Sequence, residues 1–236
     1  MHALIQSLTS FPLFGLLLSL AAFYLGQRFY LLTGRKSFFQ PVIAGMVIVI
    51  VFLTATGISY PQYFASAQLL YILLGPTIVA LAVPLFQHAR RIRALFLPIL
   101  LTLLTGSVFT VGIAVGIMWL FDTRESSIIS MTTKSITTPI AMAVSEKLGG
   151  VASLSAVLVL VTGAIGAIIG IPILHRLGIR DNAVKGVTMG LNAHAIGTAR
   201  ALEEGEECGA FSALAMGLNG VLTAIILPLL FAWLRS

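Results

Sequence analysis

The stretch ALFLPILLTLLTGSVFTVGIAVGIMWLF, residues 94–121, contains no charged side chain. It is longer than the ~20 apolar residues that carry a helix through a hydrocarbon core of ~30 Å. The pattern repeats in both directions. Apolar runs lie near 8–31, 40–57 and 63–86 before it and near 151–174 and 209–234 after it, with short polar joints between them. The composition agrees: 58% of the 236 residues are hydrophobic, 9% are charged, and the mean hydropathy is +1.03. Soluble domains carry about 25% charged residues, so these few charges could not cover a soluble surface. Lipid is the solvent for most of this chain. The first run is read as a helix and not as a secretory leader, because Met1 to Ser10 lacks a cationic start and no A-x-A-like cleavage site follows.

The net charge of +6 does not point to nucleic acid, because the bases are not gathered with aromatic residues into one stripe. They sit in the joints, as Arg28, Arg35 and Lys36, then Arg90, Arg91 and Arg93, then Arg176, Arg180 and Lys185. Cationic joints stay on the cytoplasmic side of a membrane. This predicts Arg35 and Arg91 inside and Asp122 outside. The single cysteine, Cys208, excludes an intrachain disulfide and a cysteine-rich metal cluster, and it reads as a small residue near a helix end.

Two segments, 126–149 and 183–207, are too polar to face lipid. Treating both as re-entrant or broken helices keeps the basic 175–185 joint inside and gives about six transmembrane helices. The expected fold is an all-α polytopic membrane protein, one integral membrane domain over 1–236, compatible with an inverted-repeat transporter fold. An eight-span count stays open, because a helix buried in protein need not be apolar all round. Glycines at three- and four-residue spacing, Gly106, Gly112 and Gly116 or Gly163, Gly166 and Gly170, read as close helix packing.

The polar segments carry the chemistry. In TTKSITTPIAMAVSEKLGG, Thr132 to Gly150, Pro139 restarts a helix with Thr138 as its expected N-cap, and Gly149 and Gly150 end it. A helix that begins inside a membrane protein presents unpaired amides and a partial positive charge. Lys134, Ser135, Thr137 and Thr138 would add donors, and together they form a candidate anion site. In LNAHAIGTARALEEGEE, Leu191 to Glu207, a second break is expected at Gly197-Thr198, with Thr198 capping the helix that carries Arg200 and Glu203. Asn192, His194, Thr198 and Arg200 join the candidate substrate-binding set, His194 as a substrate or proton contact. Arg200 and Glu203, three residues apart, can instead pair with each other, whereas Glu204, Glu206 and Glu207 read as a solvated end. Gly75-Pro76-Thr77 followed by IVALAVP faintly echoes Thr137-Thr138-Pro139 followed by IAMAV.

KSITTPIAMAVSEKLGG, NAHAIGTARALE and GAFSALAMGLNGVLTAIILPL, in that order, resemble the LrgB/CidB family, including its YohK-type inner-membrane members. The likeness covers essentially the whole chain. The family usually has proline before the lysine of the first motif, where this chain has Thr133. The resemblance implies a bacterial inner-membrane location and a small LrgA/CidA-type membrane partner. The chain is also similar to the C-terminal part of the plastid glycolate/glycerate translocator. This implies small carboxylates such as glycolate, glycerate, pyruvate or lactate as cargo. No cofactor and no metal are expected, and a homo-oligomer is left open. The rival reading implied by the family is a holin- or antiholin-like regulator of murein hydrolases and lysis. An enzyme is not expected, since the sequence has neither a HExxH pair nor a GxSxG elbow.

Overall fold

The computed structural model describes residues 11–234, apart from the side chains of Leu74 and Leu234. The start of the first apolar run, residues 8–10, lies outside them. The described elements are all helical: α1 (Phe14–Leu32), a 3-10 turn (Ser37–Phe39), α2 (Pro41–Thr56), α3 (Tyr60–Ala80), α4 (Ala82–Gln87), α5 (Ala89–Ala94), α6 (Phe96–Leu120), α7 (Glu125–Thr132), α8 (Thr138–Leu148), α9 (Ala152–Arg176), α10 (Asn182–Glu204) and α11 (Glu206–Leu234). Among the described residues, five helices are long and apolar enough to cross a membrane: Phe14–Leu32, Tyr60–Gln87, Phe96–Leu120, Ala152–Arg176 and Glu206–Trp233. The sixth expected span, Pro41–Thr56, is shorter, reaching about 24 Å. The chain is a multi-pass membrane protein.

The helices form two compact units, Met1–Ala82 and Val83–Ser236. In the first, α1 packs against α2 and α3. Gly15 lies so close to α3 that a Cβ there would meet Tyr63 O and Ser66 Oγ. The Gly15 amide, unpaired in the first turn of α1, donates to Ser66 Oγ at 2.9 Å. A capping box fixes the start of α3, with the Ser59 amide donating to Gln62 Oε1 at 3.1 Å.

In the second unit α6, α9 and α11 are long, and between them the chain folds into two hairpins. α7 and α8 would reach only about 12 and 16 Å, too short to cross. Ile129 of α7 packs with Val144 and Leu148 of α8, and the Val151 amide at the start of α9 donates to Ser130 Oγ at 2.8 Å. The chain therefore leaves this hairpin on the side where it entered. α10 is broken at His194, whose backbone (φ 40°, ψ −129°) is not helical. A straight helix would separate residues 185 and 204 by about 28 Å, yet Lys185 Nζ lies 3.8 Å from Glu204 Oε2. A Cβ on Gly197 would touch the backbone of Met189, so the arms 182–193 and 195–204 lie back to back. Both polar segments are thus re-entrant. The pair α6 with its hairpin and the pair α9 with its hairpin run in opposite directions.

Glycines set the closeness of this packing. On α9, Gly163, Gly166 and Gly170 face His194, Ala193 and Met189. On the first arm of α10, Gly186 and Gly190 receive the backbone of α11 at Cys208 and Ser212. Of the α6 glycines, Gly106 meets Leu191, while Gly112 and Gly116 face open space. The packing expectation therefore holds for the Gly163 series and for Gly106 alone in the other. The GPT echo has no structural counterpart, because Pro76 lies inside α3 and starts no half-helix.

Candidate functional site

The tip of the first hairpin is residues 133–137. Its returning helix starts at Thr138, with Thr137 and not Thr138 as the N-cap, and neither hydroxyl closes a cap bond. The expected boundary is one residue late: Thr137 is extended (φ −68°, ψ 145°), and Pro139 takes the second helical position, where its missing N–H is one of the amides that a first turn leaves unpaired. Gly149 ends the helix in the left-handed conformation (φ 93°), as the sequence predicts. Lys134 is half-buried at this tip and donates to Ser135 Oγ at 3.2 Å. Among the described residues no carboxylate comes within 4.0 Å of its ammonium group. Ser135 is buried, and Thr137 and Thr138 are half-buried.

The tip of the second hairpin is His194, which is 2% exposed. Its positive φ is costly for a non-glycine residue, by about 1–3 kcal/mol. The ring is held by a bond from Nε2 to Val159 O at 2.9 Å. A carbonyl only accepts, so Nε2 carries the proton and Nδ1 is free of it in the neutral ring. Asn192 is half-buried and donates to Thr188 O at 3.0 Å. Thr198 does not cap the second arm. It lies inside the helix, donating to His194 O at 2.9 Å and sharing a 2.9 Å bond with Ser212 of α11. The break falls at His194 instead of Gly197-Thr198 because Gly197 is used for contact between the arms.

The two tips meet. Asn219, near the middle of α11 and 2% exposed, donates through Nδ2 to Ser135 O at 3.1 Å and to Leu191 O at 3.4 Å. Its Oδ1 accepts from Ser107 of α6 at 2.7 Å. Ile136 of the first tip packs with Val159, the residue that holds His194. The structure therefore brings the tip that carries Lys134, Ser135, Thr137 and Thr138 to the tip that carries Asn192 and His194, linked through Asn219 and Val159, and the returning arm of each hairpin starts at this junction.

Arg200 lies toward the open end of the second hairpin. Its Nη1 donates to Glu203 at 3.2 Å and its Nη2 to Glu204 at 2.8 Å. Glu204 also meets Lys185 and, at 3.5 Å, His175. Glu204 is therefore the hub of an ionic network and not a solvated end residue. Nearby, Arg91 pairs with Asp181 at 2.6 Å and with Glu207. Asp181 also caps α10, accepting from the amides of Ala183 at 2.8 Å and Val184 at 3.1 Å. The Val184 amide first, and the Arg91 guanidinium with it, hold this carboxyl below its ordinary range.

The family model described as LrgB-like matches residues 19–233. This chain belongs to the LrgB-like family. Among its relatives, "Holin-like protein CidB" of Staphylococcus epidermidis is 31% identical over 81% of this chain and 83% of that protein. "Antiholin-like protein LrgB" of Bacillus subtilis is 29% identical over 93% of this chain and 95% of that protein. YxaC, also of Bacillus subtilis, is 35% identical over 84% and 85%. No solved structure matches the chain. In this LrgB-like chain the residue that sequence reasoning missed is Asn219. A lone carboxamide in the apolar run 209–234 is the signal that would have found it.

Proposed function

We propose that this LrgB-like protein carries small organic anions, of the size of glycolate, glycerate, pyruvate or lactate, across the bacterial inner membrane. The observation that carries the reading is Lys134, a half-buried cation without a carboxylate partner among the described residues, placed where the two hairpin tips meet. An uncompensated charge inside a membrane protein is costly, and a bound carboxylate would compensate it. The half-helix starts after Thr137 and His194 add amide donors, an arrangement suited to anions. Ser135, Thr137, Thr138 and Asn192 supply polar contacts, and His194 offers Nδ1 to a substrate hydroxyl or a proton. Thr198 and Arg200 support the second arm through Ser212 and Glu204. A small LrgA/CidA-type membrane protein is the proposed partner, and homo-oligomers are compatible with the lipid-facing helices.

The relatives' names favour a second reading, a holin- or antiholin-like regulator of murein hydrolases and lysis. Proteoliposomes separate the two. The carrier reading expects saturable uptake of labelled glycolate, glycerate, pyruvate or lactate, with or without the partner, and its loss in Lys134→Ala. Absence of uptake for all four, together with release of an encapsulated dextran, would overturn it in favour of a lesion-forming role.

A further inference from the structure

We infer that Asn219 is the positioning residue of the anion site, a clasp that fixes the spacing of the two hairpin tips; the inference rests on the carrier reading above. The argument starts from orphan carbonyls. A helix that breaks at His194 leaves the last carbonyls of its first arm without amide partners, and Leu191 O is one of them. Ser135 O lies in the tip between α7 and α8, outside any helix. Both face the interior of a membrane protein, where a bare carbonyl has no water to turn to. The Asn219 carboxamide has two N–H groups, and its Nδ2 serves both carbonyls, at 3.1 and 3.4 Å.

The remaining atom of the carboxamide is also committed. The two carbonyls only accept, so Nδ2 must face the tips, and the Ser107 hydroxyl, which can play either role, then donates to Oδ1 at 2.7 Å. α6 thereby anchors the Asn219 carboxamide, and Asn219 joins two hairpins that enter from opposite sides. Ser135 adjoins Lys134, and Leu191 adjoins Asn192. Displacing either carbonyl moves the polar groups of its tip, so Asn219 acts on the cargo through backbone position and touches no cargo itself.

Asn219→Asp keeps the shape but replaces the Nδ2 donor with an oxygen, which repels both carbonyls when ionised. Spin labels at Met142→Cys and Ala199→Cys, in a Cys208→Ser background in lipid nanodiscs, report the separation of the hairpins by dipolar spectroscopy. Uptake of the four labelled carboxylates is measured in parallel. The clasp predicts a longer or broader label separation and a rise in half-saturating concentration of about tenfold or more. Ser107→Ala, which leaves both Nδ2 bonds possible but frees the amide to rotate, should give an intermediate broadening and an intermediate rise. It also carries the test alone if Asn219→Asp does not fold. An unchanged separation in the folded variants would overturn the clasp. So would a loss of maximal rate at unchanged half-saturation. A change of separation in a protein that moves none of the carboxylates would retain the clasp and remove the carrier reading.

Discussion

Gly163→Ala places a methyl group against the ring that forms the second tip. A Cβ on the present backbone would stand 2.5 Å from His194 Cε1, 2.8 Å from Nε2 and 3.0 Å from Ile196 Cδ1. Carbon atoms rest about 3.5–4.0 Å apart, so the imidazole must retreat by about 1 Å. It has little room, being 2% exposed and tied to Val159 O at 2.9 Å. Overpacking of this kind typically costs about 1–3 kcal/mol, and a buried donor that loses its acceptor adds about 1–3 kcal/mol. A loss of about 2–6 kcal/mol is expected, read by denaturant titration of the purified protein in mixed micelles. A double-mutant cycle isolates the cause. In a His194→Ala background the methyl group has space, and Gly163→Ala should then cost under about 1 kcal/mol. Equal costs in the two backgrounds would refute the reasoning, because the clash would not lie with the ring.

Three further outcomes follow from the same geometry. Lys134→Gln should leave membrane insertion unchanged and raise the half-saturating carboxylate concentration by about tenfold or more, since a charged hydrogen bond is worth about 1.5–3 kcal/mol; uptake kinetics in proteoliposomes measure it. Glu204→Gln strips Arg200 and Lys185 of their shared carboxylate, and unfolding titrations should show a loss of about 3 kcal/mol. Asp181→Ala removes a cap worth about 0.5–2 kcal/mol at pH 7. The folded carboxyl titrates below its ordinary value, so its contribution is complete above an unfolded pKa of about 3.9 and is lost as pH falls through the folded value. The gap between variant and wild type should therefore close on acidification below about pH 4 in thermal unfolding scans.

The fold was legible where apolar length or glycine and proline chemistry decides it. Residues 94–121 give α6, and Pro139 and Gly149 bracket α8 to within a residue. The re-entrant reading of the two polar segments also followed from composition, because their side chains are unsuited to lipid. What was hidden depends on contacts across the fold. His194 accepts a positive φ because Val159 and the space over Gly163 hold its ring, and neither partner is near it in sequence. The glutamates after Arg200 look like a solvated end until the hairpin folds Lys185 back onto Glu204. Asn219 drew no notice because its meaning lies in two carbonyls that only the broken helices expose.

The bond from Asn219 to Ser135 O joins residues 84 positions apart in the chain. Synthesis runs from the N-terminus, so the first hairpin emerges well before the span that closes its tip. Ile129 and Leu148 likewise wait for Leu227. The hairpin can dock first on α9, through Ser130 and Ile136, but the carbonyl at its tip stays without its amide donor until α11 arrives. The last span is therefore the step that completes assembly, and a chain halted before residue 219 would keep its early spans and the packing of the first hairpin on α9 but leave the tip without its clasp.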